Sequence, residues 1–245
     1  MHELENFSLR GMAECGAALR QTLHDAKSME MVADRIVRYL RENLVDADKK
    51  PALALVRLYK THPLGELPPD LQDFARGVFG ESTHIDTRTK CLTLLATAGD
   101  DGRWNSRADS GGHKAIPLPS AQIVAQLPMV AQLVRQFGIE VSDLLESAPS
   151  MMIDADQKTY NVFFVEHANG SAFIPAQKEF VIPYGVRSVL GFGGLLHSGD
   201  LFAVIMFSKV PIVRNTAELF KALALNVKMA LLPFVGGPVF AGGKT

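Results

Sequence analysis

"YGVRSVLGFGGLLHSGDLFAVIMFSK", Tyr184 to Lys209, is almost wholly apolar except for one polar break at His197-Ser198-Gly199-Asp200. Two apolar runs of strand length, "RSVLGFGGLL" and "DLFAVIMFSK", meet at a short turn containing Ser198-Gly199, and this pattern predicts a β-hairpin. The glycines Gly191 to Gly194 raise the question of a phosphate loop. They do not spell G-x-G-x-x-G, and they lie inside a strand, so the helix N-terminus that a dinucleotide site needs is missing. Glycines so placed predict a bulge or a close backbone approach within a sheet.

The segments around the hairpin complete the pattern. After it, "NTAELFKALALNVKMALL" predicts a helix with Asn215 as N-cap and Glu218 completing a capping box. Before it, "YNVFFVEHA" reads as a strand and "NGSAFIPAQKEFVIPYG" as an irregular, helix-containing connection. Upstream, "SMEMVADRIVRYLRENL" predicts a helix capped by Ser28, with Met29, Val32, Ile36, Leu40 and Leu44 at helical spacing. "PALALVRLYKT" and "TKCLTLLATAG" read as strands on either side of a short helix, "LPPDLQDFARGVFG". Residues 99–119 read as a long polar loop, and "SAQIVAQLPMVAQLVRQFG" as helical with Pro128 in its middle, which predicts a kink or two pieces. Residues 3–24 read as a further helix. Hairpin-linked strands with helices at both ends predict an α+β domain on an antiparallel sheet.

Composition excludes several function classes. With Lys+Arg 25 against Asp+Glu 26 and no basic run, the chain has no broad field for nucleic acid or an anionic membrane. The N-terminus lacks the pattern of a signal peptide, and the most apolar stretch is broken by Asn226, Lys228, Pro233 and paired glycines. Cys15 and Cys91 form no C-x-x-C pair and read as free thiols in a reducing compartment. The expectation is a soluble cytoplasmic protein.

Two blocks carry a family resemblance. "SMEMVADRIVRYLRENLVDADKKPALALVRLYKT" resembles the opening helix and first strand of GAF domains. "YGVRSVLGFGGLLHSGDLFAVIMFSKVPIVRNTAELFKALALNVKMAL" resembles their closing hairpin and helix. The resemblance spans residues 28–232; residues 1–27 are expected to form an N-terminal helical extension and 233–245 a C-terminal tail. It implies a twisted antiparallel sheet with the terminal helices on one face and a ligand pocket on the other. It also implies a regulatory sensor in signal transduction, with no enzymatic activity of its own. No kinase, cyclase or DNA-binding element follows the closing helix, so the chain is expected to act alone or as the sensory part of something longer.

The residues themselves give little catalytic chemistry. The seven histidines show no H-x-x-x-H or H-E-x-x-H spacing, so no metal site is expected. Ser188 is not in a G-x-S-x-G elbow, and Cys91 lies among apolar strand neighbours that raise a thiol's pKa. "GGPVFAGGKT" imitates a phosphate loop, but its spacing fails at Pro238. The family's signatures for cyclic nucleotides, bilin attachment and methionine sulfoxide reduction are not matched, so the ligand and any cofactor stay unnamed.

The aromatic group Tyr160, Phe163, Phe164, Phe173, Phe180 and Tyr184 has two readings, core packing or the wall of a pocket. The resemblance places the ligand beneath the 99–135 and 167–183 segments. There Phe163, Phe173, Phe180 and Tyr184 are candidate walls, and Arg187 and His113 candidate polar contacts to an acidic or amphipathic ligand. Two alternatives stand beside the sensor: an enzyme using His113, Cys91 or Arg187 in the same pocket, and a degenerate module limited to protein contacts. Two apolar stripes on the last helix, Leu219/Leu223/Val227/Ala230 and Leu225/Met229/Leu232, predict a homodimer through the terminal helices.

Overall fold

The computed structural model describes residues 1–80, 83–146 and 161–241. The strands are β1 (His2–Glu3), β2 (Leu44–Val45), β3 (Leu53–Pro63), β4 (Lys90–Gly99), β5 (Ala115–Leu118), β6 (Asn161–Val165), β7 (Ser188–Leu195) and β8 (Leu201–Ser208). The helices are α1 (Leu9–Gln21), α2 (Met29–Asn43), α3 (Pro69–Val78), α4 (Ala121–Ala125), α5 (Pro128–Phe137), α6 (Val141–Glu146) and α7 (Arg214–Leu231).

Six strands form one antiparallel sheet in the order β5-β4-β3-β8-β7-β6. The hairpin read from the sequence is there, with β7 and β8 in register from Ser188↔Ser208 to Leu195↔Leu201. Its turn is closed by the Leu196 N–H on the Asp200 carbonyl at 2.9 Å, with Gly199 at φ +78. Strand alternation sends neighbours to opposite faces, as at Phe163 and Phe164, which join different apolar layers.

One layer holds the terminal helices. Met29, Val32, Ile36 and Leu40 of α2 and Phe220, Leu223, Val227 and Leu231 of α7 are buried there against Val56, Leu58, Phe192 and Met206 of the sheet. The Ser28 side chain caps α2 by accepting the Met31 N–H. Residues 1–27 pack into the same layer. Leu4, Phe7, Cys15 and Leu19 are buried, Phe7 stacks on Phe220 at 4.7 Å, and α1 lies along α7 with Gly16 against Asn226. The segment after α7 also contributes, through Phe234 and Phe240. The second layer, on the other face, comes from α4, α5, α6 and the connection before β7, with Phe137, Leu133, Val134 and Val181 over Leu94, Phe163 and Ile205. The α+β, GAF-like layout is therefore present: antiparallel sheet, terminal helices on one side, intervening connections on the other.

Two local expectations need correction. The 99–119 loop contains an edge strand, β5, and a short 3-10 turn over Gly102–Asn105. Pro117 hid the strand, because proline is compatible only with an edge position like this one. Asn215 does not cap α7: the cap lies two residues earlier at Val213, the helix starts at Arg214, and Glu218 pairs with Arg214 at 2.8 Å. The break expected at Pro128 is present: residues 120–138 form two helices, with Pro128 at the first turn of α5 where its missing N–H costs nothing.

A buried arginine beneath the joined connections

On the α5 face the sheet carries a charge where its neighbours are apolar. Leu55, Arg57 and Tyr59 alternate toward this layer, and Arg57 lies between Thr97 of β4 and Ile205 of β8. Arg57 is only 9% exposed. Its Nη1 donates to the Tyr59 hydroxyl and its Nη2 to Ser110 Oγ, both at 3.2 Å. Its Nε has no partner, and neither has the buried Oγ1 of Thr97 opposite. Among the described residues no carboxylate pairs with this guanidinium. A buried cation held by two neutral hydroxyls is costly, and an anion beside it would be bound strongly for the same reason.

The covering segments are tied together. Trp104, from the β4–β5 connection, packs on Tyr184 at 4.5 Å and on Phe180 at 5.4 Å, and Phe180 meets Phe207 of β8 edge-on at 4.9 Å. The Tyr184 hydroxyl donates to Asp101 Oδ2 at 3.1 Å. Hydrogen bonds from the Arg103 side chain and backbone hold the Asp101 carboxyl well below the usual carboxylate range. Desolvation, then the Asp101 bond, raises the Tyr184 pKa. The connection before β7 is held internally by Gln177, whose amide donates to the Ala168 and Ile174 carbonyls while its oxygen accepts the Gly170 N–H. Gln177 opens a π-helical turn, Gln177–Val181, a form that recurs at functional sites.

The candidate residues separate. Phe180 and Tyr184 come together in the aromatic roof. Phe163 is fully buried in the α5 layer, whereas Phe173 is 37% exposed on the surface. Tyr160 lies outside the described residues. Arg187 is exposed in a different place, a groove of about 530 Å³ shared with Glu166, His167, Asn169, Ile182 and Pro211. His113 follows Gly111-Gly112 at φ 60; desolvation and then the Arg57 charge lower its pKa. Cys91 points into the terminal-helix layer, on the opposite side of the sheet from Arg57 and Ser110, so it shares no pocket with them. Burial pushes both Cys15 and Cys91 up to about 12, which removes thiolate chemistry near neutral pH.

Arg57 and Thr97 were missed from sequence. The available signal was a lone charge inside the otherwise apolar run "ALALVRLY", at a position whose i±2 neighbours are both core residues.

No family model and no curated protein matches the chain. Among solved structures it is similar to a phycocyanobilin-bound GAF domain from a cyanobacterial phytochrome, at 9% identity and a TM-score of 0.44, over 91% of this chain and 94% of that one. A phycoerythrobilin-bound GAF domain from a cyanobacterial phytochrome gives 12% identity and a TM-score of 0.39, over 93% and 98%. The GAF domain of a phosphoenolpyruvate-protein phosphotransferase from Coxiella burnetii gives 12% identity and a TM-score of 0.40, over 91% and 92%. Among the described residues no helix is long and apolar enough to cross a membrane.

Proposed function

We propose that this chain is a cytoplasmic, non-enzymatic regulatory module that binds a small acidic molecule on the α5 face and signals through its terminal helices. The observation that carries the reading is Arg57, a buried guanidinium on that face with an unpaired Nε and no ion-pair partner among the described residues. An anionic group there would supply the missing charge, and Thr97, Tyr59 and Ser110 offer hydroxyls around it. The ligand would favour one arrangement of the tied roof and so of the sheet beneath it, a population shift passed to a partner or an attached output domain.

A thermal-shift panel of carboxylates, phosphates and nucleotides tests this. A ligand at a hundred times its dissociation constant should stabilise the fold by about 2.7 kcal/mol. Arg57→Met should remove that response while leaving ligand-free stability unchanged or higher, because it replaces an uncompensated charge with an apolar chain. A panel hit that stabilises Arg57→Met as strongly as the native chain overturns the site.

The signalling half of the proposal places a homodimer on the helical face. Leu225 and Met229, one turn apart on α7, are each 49% exposed, whereas Leu223, Val227 and Ala230 are covered. We expect a dimer in sedimentation velocity at micromolar concentration, and a monomer with an unchanged circular dichroism spectrum for Leu225→Glu/Met229→Glu. A native monomer at that concentration removes the dimer from the proposal.

A further inference from the structure

A second polar centre lies in the terminal-helix layer, at the far end of the sheet from the α7 start. Lys60 of β3 and Lys90 of β4 converge on Asp200 at the end of the hairpin turn, and their side chains are 5%, 8% and 11% exposed. Lys60 Nζ donates to Asp200 Oδ2 at 2.8 Å and to the Thr61 carbonyl at 2.9 Å. Lys90 Nζ donates to Oδ1 at 2.7 Å, and Ser198 Oγ to Oδ2 at 2.8 Å. Both carboxylate oxygens are thus engaged, while the two ammonium groups keep unused N–H bonds and one positive charge in excess. Burial opposes the ionised form of Asp200, but Lys60 and Lys90 outweigh it and hold its pKa low. Burial lowers the pKa of Lys60 by more than its shared carboxylate restores.

Beside them sits His62, 2% exposed, with neither ring nitrogen hydrogen-bonded. Burial, then the Lys60 charge, lowers its pKa to about 3, so at neutral pH it is an uncharged ring, packed 5.6 Å from Phe240 and beside both ammonium groups. These groups open onto a cavity of about 1370 Å³ whose opposite wall is the segment after α7. Phe234 and Phe240 of that segment, with Met29 and Leu67, give the cavity its apolar lining. Arg107 also lines the cavity, but it is occupied by Glu30 at 2.8 Å and Asp70 at 3.5 Å and lies over the Phe240 ring. Glu66 and Asp70 stand on the exposed rim, where water screens them.

We propose that this cavity is a second binding site, taking an organic anion whose carboxylate or phosphate lies against Lys60, Lys90 and His62 and whose apolar body lies against Phe234 and Phe240. The anion would accept the unused ammonium N–H bonds and cancel the excess charge, and charge-assisted bonds in a shielded site are the strong ones. The site is separate from Arg57, which lies on the other face, so either can fail without the other.

The test is histidine-selective NMR on the full chain, with the His62 ring signals assigned by their loss in His62→Gln. Inorganic phosphate, phenyl phosphate and benzoate are titrated separately. A saturable shift of the His62 signals by phosphate and phenyl phosphate identifies a phosphate site, and one by benzoate alone a carboxylate site. Lys90→Gln, which leaves Asp200 paired with Lys60, should weaken that binding about tenfold or more. The proposal is overturned if no probe moves His62 up to about 20 mM, beyond the millimolar range of specific small-ligand sites. Equal affinity in a folded Lys90→Gln overturns it too. If that variant does not fold, the titration of the native chain decides alone.

Discussion

Asp200→Ala is expected to destabilise the fold by about 3–5 kcal/mol, the usual consequence of removing one member of a buried charge cluster and leaving its partners uncompensated. Here two lysines lose their only shared carboxylate, and Ser198 loses its acceptor. Asp200 also ties three strands: it follows the β7–β8 turn and holds side chains from β3 and β4. The effect should appear as a lowered midpoint in urea at pH 7 with an unchanged slope. Adding Lys60→Met to Asp200→Ala should restore part of the loss, because one of the stranded charges is then gone. If Asp200→Ala unfolds at the native midpoint, the cluster is solvated and the second site loses its basis.

Gly193→Ala is the other large effect. A Cβ at Gly193 would fall inside the van der Waals envelope of the Phe202 carbonyl oxygen and within 2.9 Å of Ala203 Cα, both on the partner strand of the hairpin. No rotamer relieves a clash with backbone, so the cost should sit at the upper end of overpacking effects, about 3 kcal/mol or more. Gly191→Ala is the control. Its closest obstacle is the Ile205 Cδ1 methyl, the movable end of a side chain, and about 1 kcal/mol is expected. Equal costs at the two sites, read from chemical denaturation, would mean that β7 and β8 do not approach as closely as the register places them.

These glycines show what the sequence made legible. An apolar stretch with a polar break gave the hairpin, and the failure of G-x-G-x-x-G spacing excluded a dinucleotide loop; close strand approach is what remains. Helical spacing likewise gave α2 and α7, because each buries a stripe against a single sheet face. Other features depend on partners remote in sequence. Arg57 is a lone charge in an otherwise apolar run, and only the side on which Thr97 and Ser110 lie makes it a site. The cavity beside His62 was illegible because its outer wall is a stretch read as a tail, and Pro238 and Val239 reach back to accept N–H bonds from Met29 and Glu30. Arg187 was legible as a charge at the head of β7, but its direction was not: a one-residue change in strand parity decides between the two faces, and Arg187 turns out to the surface groove.

The sheet order also fixes when the protein can exist as a folded body during its synthesis. β3 and β4 pair early in the chain, but the inner edge of β3 is completed only by β8, and Thr61 and Leu201, joined by a hydrogen bond in the finished sheet, are 140 residues apart. The middle of the sheet is therefore its most distant pairing in sequence. Until β8 emerges from the ribosome, β3 presents a row of unpaired backbone groups and an apolar face with neither β8 to pair the edge nor α7 to cover the face, a species prone to pairing with other chains. Closing so long a loop before any central contact repays it makes folding slow for a domain of this size, and makes the nascent chain a natural client for chaperones.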